Sequence, residues 1–497
     1  MVGTRRHPPD FLPPDVRDHP EVRRACHDWE IGRLFRIVQN LTEGPERFTA
    51  AHLARRCDMT ASRALDYMNG TVHARQVTLI ARVADGLHIP GAYFGLPERP
   101  WESQVSRSTG TKSPAEASQE QWRAARDYLY HHADEIQALS TRLYPAEWHI
   151  AGTRLLAHPD WLPTKPVELN EIALKMDESA RAPMVNGTEP EARAVLPLRA
   201  PGAQFDRYTS AIRYLDPPTL FENRPSYRLL GMSWGLDTAT ELTFGMTTYF
   251  DKLDVTEPLV HEFALASMRH PGADEIPLHD LPFRALVGDP FDLKRRPVAP
   301  GITTLTIRRD TSTDQASFLL HWRDPAKVAV AGDMYDVVPA GEFQPSSVNH
   351  WDRSNDFDLW RNIVRELSEE LLGTPEHDGS GGVPIDYDAW PLYRALTQAR
   401  HDGRVRVYCL GIGVDALGLA VTIPTVLVID DDLFDDLLGQ LVTDNAEGRV
   451  IATHRGALKG IPWTESAVEH YLAGGRMSPS GAACLSLAWH HRNQLWK

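Results

Sequence analysis

The sequence has few cysteines, no lysine among its first 100 residues and no long apolar run. Its cysteines, Cys26, Cys57, Cys409 and Cys484, are too widely spaced for a Cys-x-x-Cys metal pair and too few for a disulfide framework, so we expect buried free thiols. A transmembrane helix needs about 18 consecutive apolar residues, which the sequence lacks, and its N-terminal stretch has no apolar signal-peptide segment. These absences predict a cytoplasmic protein that does not contact a membrane.

The charge is negative overall but unevenly distributed. The formal net charge is −15, which argues against indiscriminate binding to polyanions. Residues 1–100, in contrast, contain 14 arginines against 12 aspartates and glutamates. Any contact with nucleic acid is therefore expected near the N-terminus.

Length and composition predict a folded protein of several domains. The chain has 497 residues, of which 42% are hydrophobic, enough for about two to four domains with sizeable cores. Apolar spacing and proline-rich stretches divide it into a helical bundle at 25–97, a linker at 98–120, a helical segment with an α/β region of unknown role at 121–300, and an α/β domain at 301–497. An alternative is that the middle region packs onto the sheet of the last domain.

The predicted elements after residue 120 mix helical and strand periodicity. Helices are expected at 121–144, 255–269, 357–372, 433–442 and 465–473, and strands at 227–234, 241–249, 303–308, 316–322, 327–338, 405–411 and 419–429. The fold class is therefore multidomain, with an N-terminal all-α bundle followed by α/β regions, the last with a mixed sheet.

The clearest local pattern lies within residues 48–70 and predicts two helices joined by a tight turn. The first helix turns Leu53, Ala54 and Cys57 inward, and Ala54 is small because the two helices cross closely there. The turn falls at Asp58-Met59, Thr60 is a good N-cap for the second helix, and Asn69-Gly70 is a C-terminal stop. Apolar residues of a helix before the pair and of one after it would close the bundle: Trp29, Leu34, Phe35, Val38, Val77, Ile80, Val83, Ala84 and Leu87.

This stretch, LARRCDMTASRALDYMNG followed by VTLIARVADGLHIP, resembles the Cro/repressor-type (XRE) helix-turn-helix family over about 70 residues. The resemblance implies that the second helix lies in the major groove of double-stranded DNA. It places Ala61, Ser62 and Asp66 at base-facing positions and makes Thr49, Arg55, Thr60 and Arg63 the contacts to phosphates or base edges. Because one half-site buries little surface, a homodimer is expected. The alternative is a helical bundle used for dimerisation or partner binding.

A second pattern, RELSEELLG at residues 365–373, predicts three carboxylates on one helix face. Glu366, Glu369 and Glu370 follow i, i+3, i+4 spacing, and clustered carboxylates suit Mg²⁺ or Mn²⁺. Such a metal would neutralise a diphosphate and activate water. The alternative is an exposed helix whose glutamates face water.

The helix and the upstream VVPAGEF at residues 337–343 resemble the Nudix box. This resemblance implies a Nudix-like α/β/α sandwich in which Glu369 or Glu370 holds metal, Glu366 is a further ligand or orients water, and Arg365 holds the helix by an ion pair. Two features differ from the box: Gly341 and Arg365 are 24 positions apart instead of about 13, and the loop between them lacks the expected glutamate. These differences favour ligand binding over catalysis.

Four other segments are interpreted as structural. The acidic run at 430–436 is expected to cap a helix, His261-Glu262 lacks the second histidine of a zinc peptidase, the glycines at 411–418 do not form a dinucleotide fingerprint, and 379–382 is expected to be a surface loop.

Together the patterns favour a sequence-specific DNA-binding transcriptional regulator whose C-terminal region senses a small nucleotide-like ligand. The alternative is an enzyme, a Mg²⁺-dependent Nudix-type hydrolase of a nucleoside diphosphate derivative with an accessory helix-turn-helix module.

Overall fold

The computed structural model separates the chain into two compact units, residues 1–113 and 114–497. The structure describes residues 12–42, 48–70, 72, 74, 77–97, 99, 101–102, 112–150, 152–218, 221–235, 240–323, 334–375, 377, 382–439, 448–451, 453–454, 457–458, 460–474 and 476–496. The division between the units falls inside the predicted linker. Residues 379–381 of the loop predicted at 379–382, and parts of the strand predicted at 327–338 and of the helix predicted at 433–442, lie outside the described residues.

The first unit is a helical bundle around a single apolar core. Its described helices are α1 (Pro14–Arg17), α2 (Pro20–His27), α3 (Ile31–Leu41), α4 (Ala50–Arg56), α5 (Ala61–Met68) and α6 (Val77–Leu87), followed by a 3₁₀ turn at Gly91–Phe94. The amphipathic faces of α3 and α6 pack on α4 and α5, which is the arrangement that their apolar spacing predicts. Val77 is an exception, because it begins α6 and is exposed, and Leu79 takes the inward position.

Local side-chain chemistry fixes the ends of α4 and α5. The Thr49 hydroxyl accepts a hydrogen bond from the His52 amide at 3.3 Å, and the Thr60 hydroxyl accepts one from the Arg63 amide at 3.2 Å. Between the helices, Asp58 adopts the left-handed conformation with φ 49°, and Arg82 of α6 donates to its carbonyl oxygen at 2.8 Å. The predicted start of the second helix and its stop after Met68 are confirmed.

Two glycines allow the helices of the first unit to approach closely. A Cβ atom on Gly32 of α3 would stand 1.8 Å from the Tyr67 carbonyl oxygen in α5, and one on Gly86 of α6 would stand 1.9 Å from the Arg56 carbonyl oxygen in α4. Since neither backbone leaves room for a side chain, both crossings require glycine. The small Ala54 is fully buried between the same helices, as predicted.

The second unit combines helices with several sheets. Its described helices are α7 (Pro114–His131), α8 (Ala133–Thr141), α9 (Pro190–Arg193), α10 (Tyr208–Leu215), α11 (Tyr249–Arg269), α12 (Pro282–Val287), α13 (Asp352–Asn355), α14 (Leu359–Leu372), α15 (Pro391–His401), α16 (Asp431–Leu438), α17 (Glu465–Ala473) and α18 (Pro479–His490). The strands are β1 (Leu155–Leu156), β2 (Val167–Glu168), β3 (Ile172–Met176), β4 (Leu198–Ala200), β5 (Ala203–Gln204), β6 (Pro225–Ser233), β7 (Thr240–Thr248), β8 (Gly301–Asp310), β9 (Gln315–Phe318), β10 (Leu320–Arg323), β11 (Met334–Val337), β12 (Ala340–Glu342), β13 (Val405–Cys409), β14 (Gly413–Asp415), β15 (Val421–Asp430), β16 (Gly448–Ile451), β17 (Thr453–His454), β18 (Ala457–Leu458) and β19 (Ile461–Pro462).

The main sheet of the second unit is mixed, as the sequence predicts. Within the described residues it has nine strands, in which β8 and β15 run parallel and β12, β9, β13 and β14 pair with them antiparallel. Helices α14 and α15 contribute to the core on one face, and α17 and α18 contribute to the core on the other. Alternate residues of β15 supply the two cores, which explains why the strand is buried on both faces and its sequence is mostly apolar.

The region before residue 300 packs directly on the start of the last region. Strands β3, β7 and β6 form a three-stranded sheet, and the Tyr227 amide of β6 donates to the Phe343 carbonyl oxygen at 3.2 Å. Tyr227, Phe244, Phe343 and Phe357 form an aromatic cluster with ring centroids 4.6 to 6.0 Å apart. Residues 114–300 and 301–497 therefore share one core, in agreement with the alternative interpretation of the middle region.

Three predicted boundaries in this unit are wrong. Residues 114–120 of the predicted linker belong to α7, because Pro114 suits a first helical position and Ala115 and Trp122 are buried. The predicted helix at 121–144 is two helices that separate at His132. The predicted strand at 316–322 divides into β9 and β10, and these belong to different sheets.

Candidate functional sites

Helix α5 presents one face to solvent and buries the other. Ala64, Tyr67 and Met68 are buried in the bundle, and Ala61, Ser62, Arg63 and Leu65 are exposed. Asp66 is half-buried. Three of the predicted DNA-contacting residues, Ala61, Ser62 and Arg63, are thus accessible in the first turn of one helix.

The other predicted contacts flank this face. Thr60 precedes α5 and Thr49 precedes α4, and the hydroxyl of each already accepts a helix amide, so each has its proton left to donate. Arg55 is half-buried on α4. The Arg63 guanidinium lies over the Tyr67 ring, 5.3 Å from its centroid. This contact holds the cation at the flank of α5.

The sequence analysis missed one residue of the exposed face. Leu65 is 46% exposed although the rest of the helix buries its large apolar side chains. It lies four positions after Ala61 and three after Ser62, so the three side chains share one face. The i, i+4 spacing of Ala61 and Leu65 was the signal that could have identified Leu65 as outward-facing.

In the second unit, the carboxylates of α14 meet the backbone of β12. A Cβ atom on Gly341 would stand 2.1 Å from the Glu366 carboxyl carbon, so this glycine makes room for the carboxylate. The Ala340 amide donates to Glu370 Oε1 at 3.2 Å, and Glu370 is buried. Glu369 is half-buried. The structure therefore brings Glu366 and Glu370 to the same strand, at the turn where the resemblance places the start of the box.

An ion pair stabilises the same turn. Lys252 Nζ of α11 lies 2.6 Å from Glu342 Oε2 of β12, and each side chain is only 14% exposed. A low-polarity environment strengthens such a pair. The middle region thus supplies a cation to the strand that Glu366 and Glu370 contact.

The contacts of Arg365 differ from the ion pair that the resemblance implies. Its guanidinium is buried and donates to the Gln344 carbonyl oxygen at 2.7 Å and to Asn362 Oδ1 at 2.9 Å. Burial opposes its charge, but nearby negative groups, among them Asp356 and Glu366, raise the pKa of Arg365 overall. Hydrogen bonds to neutral oxygens take the place of the predicted ion pair.

Buried aspartates fasten the long loop before α14. The Ser346 amide donates to Asp356 Oδ2 at 2.7 Å, and the Tyr387 hydroxyl donates to Asp356 Oδ1 at 2.8 Å. Asp352 accepts from the Ser347 hydroxyl at 2.5 Å, and burial raises its pKa. The residues that lengthen the loop relative to the Nudix box are therefore an ordered part of the fold.

The predicted metal ligands do not form a recognisable metal site within the described residues. No group of three or more histidine, cysteine, aspartate or glutamate side chains there has an arrangement that would hold an ion. Glu366 and Glu370 converge on β12, which suits at most part of a magnesium coordination shell. Mg²⁺ binding by Glu366, Glu369 and Glu370 stays a prediction.

Two of the segments interpreted as structural have identified partners. Asp430 occupies the N-cap of α16 without a side-chain cap bond, and the acidic run instead pairs with arginines, Asp431 and Asp435 with Arg308 and Asp432 with Arg404. The acidic run thus lies at the N-terminus of α16, as predicted, with Asp430 at the N-cap and Asp431 and Asp432 in the first turn, and its carboxylates also neutralise arginines at the strand end. His261 and Glu262 are buried within α11.

The four cysteines are buried free thiols, as predicted. Every helix of the described residues is too short or too polar to cross a lipid bilayer.

The exposed face of α5 and the β12–α14 segment were compared with family models and curated proteins as parts of the whole chain. The functional argument therefore depends on the residues of each surface. No protein-family model matches this chain, and no curated protein matches it significantly.

Proposed function

We propose that this chain is a sequence-specific DNA-binding transcriptional regulator that acts as a homodimer and whose second unit binds a small nucleotide-like ligand. The exposed face of α5, on a helix whose start and crossing points are fixed by neighbouring residues, carries the proposal. An α-helix fits the major groove of B-DNA, and base recognition needs such a rigid support.

The support for α5 is rigid on three sides. Thr60 fixes its first turn, Gly32 brings the α3 backbone against Tyr67, and Arg82 holds the turn that precedes it at Asp58. A helix held in this way keeps its side chains within the small tolerance that base contacts require.

The charges around α5 suit phosphate contacts. Arg63 is exposed beside the face, and Thr49 and Thr60 each keep a hydroxyl proton for a phosphate oxygen. A weakly basic module of this size needs a second copy for useful affinity, which is why the proposal includes a homodimer.

In the second unit, the fastened loop before α14 and the hydrogen-bonded Glu370 support ligand binding more than catalysis. The loop that departs from the Nudix box is fastened by Asp352 and Asp356, and Glu370 already accepts an amide of β12. Carboxylates engaged in holding a turn are less available as a general base. We therefore assign the β12–α14 turn to a binding site that responds to a nucleotide-like molecule.

The test is binding of the full-length chain to a randomised DNA duplex library, with enriched duplexes then measured by fluorescence anisotropy at two salt concentrations. Arg63→Ala should weaken binding to the enriched duplex by about tenfold. It should also reduce the slope of log K against log salt concentration by about 1, the amount expected for the loss of one phosphate contact. Arg24→Ala is the matched control, because Arg24 is an arginine on α2 whose side chain is 75% exposed. Failure to enrich any sequence, or equal effects of the two variants, would contradict the proposal.

The hydrolase remains a second candidate because Glu366 and Glu370 converge on β12. It predicts Mg²⁺-dependent hydrolysis of a nucleoside diphosphate derivative that is lost in the double variant Glu369→Gln, Glu370→Gln. Glu469→Gln, an exposed glutamate on α17, is the control. Absence of turnover across a panel of nucleoside diphosphate derivatives, or turnover that survives the double variant, would exclude the box as an active site.

A further inference from the structure

The exposed face of α5 carries apolar groups where a base-reading helix commonly has amides or guanidinium groups. Ala61 contributes a methyl group, Ser62 a hydroxyl, and Leu65 a whole isobutyl side chain that is 46% exposed. Guanine is usually recognised by arginine or lysine and adenine by asparagine or glutamine, and none of these stands at positions 61, 62 or 65. The face is therefore poor in the hydrogen-bonding groups that read purines.

The major-groove edge of DNA offers one apolar group, the 5-methyl of thymine. We propose that Leu65, together with Ala61, contacts thymine methyl groups, so that thymine is the preferred base opposite this face. The inference rests on the proposed DNA-binding function and names the bases that the function would recognise. Leu65 is then a residue that determines sequence specificity.

The neighbours of Leu65 favour DNA over a protein partner. Ser62 and Arg63 lie on the turn before it and Asp66 follows it, so Leu65 is the one large exposed apolar side chain of α5 and has polar and charged neighbours in sequence. The central part of a stable protein interface is depleted in charged residues and contains several large apolar anchors. One exposed leucine with polar and charged neighbours is enough to contact a single thymine methyl group. It does not supply the several apolar anchors that such an interface needs.

The contribution of Arg63 is separate from that of Leu65. Its guanidinium lies over the Tyr67 ring at the flank of the helix, which directs it to the sugar-phosphate backbone. Phosphate contacts carry no sequence information, so they position α5 without competing for the base edge. Removal of Arg63 should therefore weaken binding to all duplexes alike. Removal of Leu65 should reduce the difference in affinity between the enriched duplex and duplexes of other sequence.

The experiment deletes the methyl groups one at a time. The duplex enriched by the full-length chain is resynthesised with deoxyuridine in place of each thymidine, which removes only the 5-methyl group. We expect about three- to fivefold weaker binding at one or two thymines of each half-site. In Leu65→Ala at least one of these thymines should tolerate the replacement, because its contacting side chain is missing, whereas a thymine that contacts Ala61 should keep its sensitivity.

Val77→Ala is the matched control, since Val77 is an apolar residue on α6 that is 56% exposed and lies outside α5. This variant should keep the full sensitivity to deoxyuridine. Far-ultraviolet circular dichroism checks that both variants are folded. Absence of any enriched duplex would overturn the DNA-binding proposal and this inference with it. An enriched duplex that tolerates every deoxyuridine, or in which every sensitive thymine keeps its full sensitivity in Leu65→Ala, would overturn this inference alone.

Discussion

Replacement of Gly86 by alanine should destabilise the first unit, although the same change stabilises most helices. In an ordinary helix interior, Gly→Ala improves stability by about 1 kcal/mol, because the backbone of glycine loses more entropy on folding. Gly86 lies in α6 where the Arg56 carbonyl oxygen of α4 would stand 1.9 Å from the new Cβ atom. The steric cost and the propensity gain therefore act in opposite directions.

The magnitude follows from how far the helices must separate. Ordinary contact begins at 3.4 Å, so α4 and α6 must move apart by about 1.5 Å at this point. A gap of that size removes much of the dispersion contact of Leu53 and Val83, which are fully buried nearby. Overpacking of this kind costs up to about 3 kcal/mol, and after the propensity gain we expect a net loss of about 2 kcal/mol.

Hydrogen exchange of the full-length chain, followed by mass spectrometry, measures this loss within the first unit. A decrease of about 2 kcal/mol accelerates exchange of core amides in α4, α5 and α6 by about thirtyfold. Peptides from residues 114–497 serve as an internal control, because they belong to the other compact unit. Slower exchange in Gly86→Ala than in the parent chain would refute the close approach of α4 and α6.

Two further changes test other features of the fold. Asp58→Gly should stabilise the first unit by less than about 1 kcal/mol, because Asp58 has φ 49°, which glycine adopts without steric strain, and Arg82 keeps its bond to the carbonyl oxygen. The gain is reduced by the larger entropy of glycine in the unfolded chain and by loss of the exposed ion pair between Asp58 Oδ2 and Arg82, 3.3 Å apart. The measurement is again the hydrogen-exchange rate of the α5 amides. The control variant Asp58→Asn should change this rate little. Faster exchange in Asp58→Gly than in the parent chain would contradict the reasoning. Burial lowers the pKa of His261 to about 3, so this neutral imidazole, bonded to the Tyr208 hydroxyl, should cost the second unit stability as the pH falls from about 6.5 toward 3. The free energy of unfolding, measured with urea, should be about 2 kcal/mol lower at pH 5 than at pH 7, and this difference should be smaller in His261→Gln. An equal difference in both proteins would show that His261 is not its source.

Features that depend on neighbouring residues could be predicted from the sequence. The start of α5 follows from the preference of threonine for the N-cap, and its end from Asn69-Gly70. Strands β6, β7, β8 and β15 were predicted to within about two residues because their apolar runs are long. The convergence of Glu366 on β12 was also accessible, because VVPAGEF and the acidic helix occur in order.

Features that depend on distant residues could not be predicted in the same way. The need for glycine at 32 and 86 comes from carbonyl groups about 30 residues away, and nothing local indicates it. The composition of residues 98–120 resembles a linker, yet burial of Ala115 and Trp122 against the second unit extends a helix into it. Arg365 was expected to pair with a carboxylate, whereas the fold presents the Gln344 carbonyl oxygen.

The aromatic cluster of Tyr227, Phe244, Phe343 and Phe357 determines how this chain can be divided and exchanged between genes. A break at residue 300 would leave two of these rings on each fragment, exposed to water together with the surrounding core. A break near residue 113 falls between the two compact units, and the first unit has an apolar core of its own. Recombination could therefore place a different helical bundle ahead of residue 114, whereas the residues that follow must be inherited as one piece.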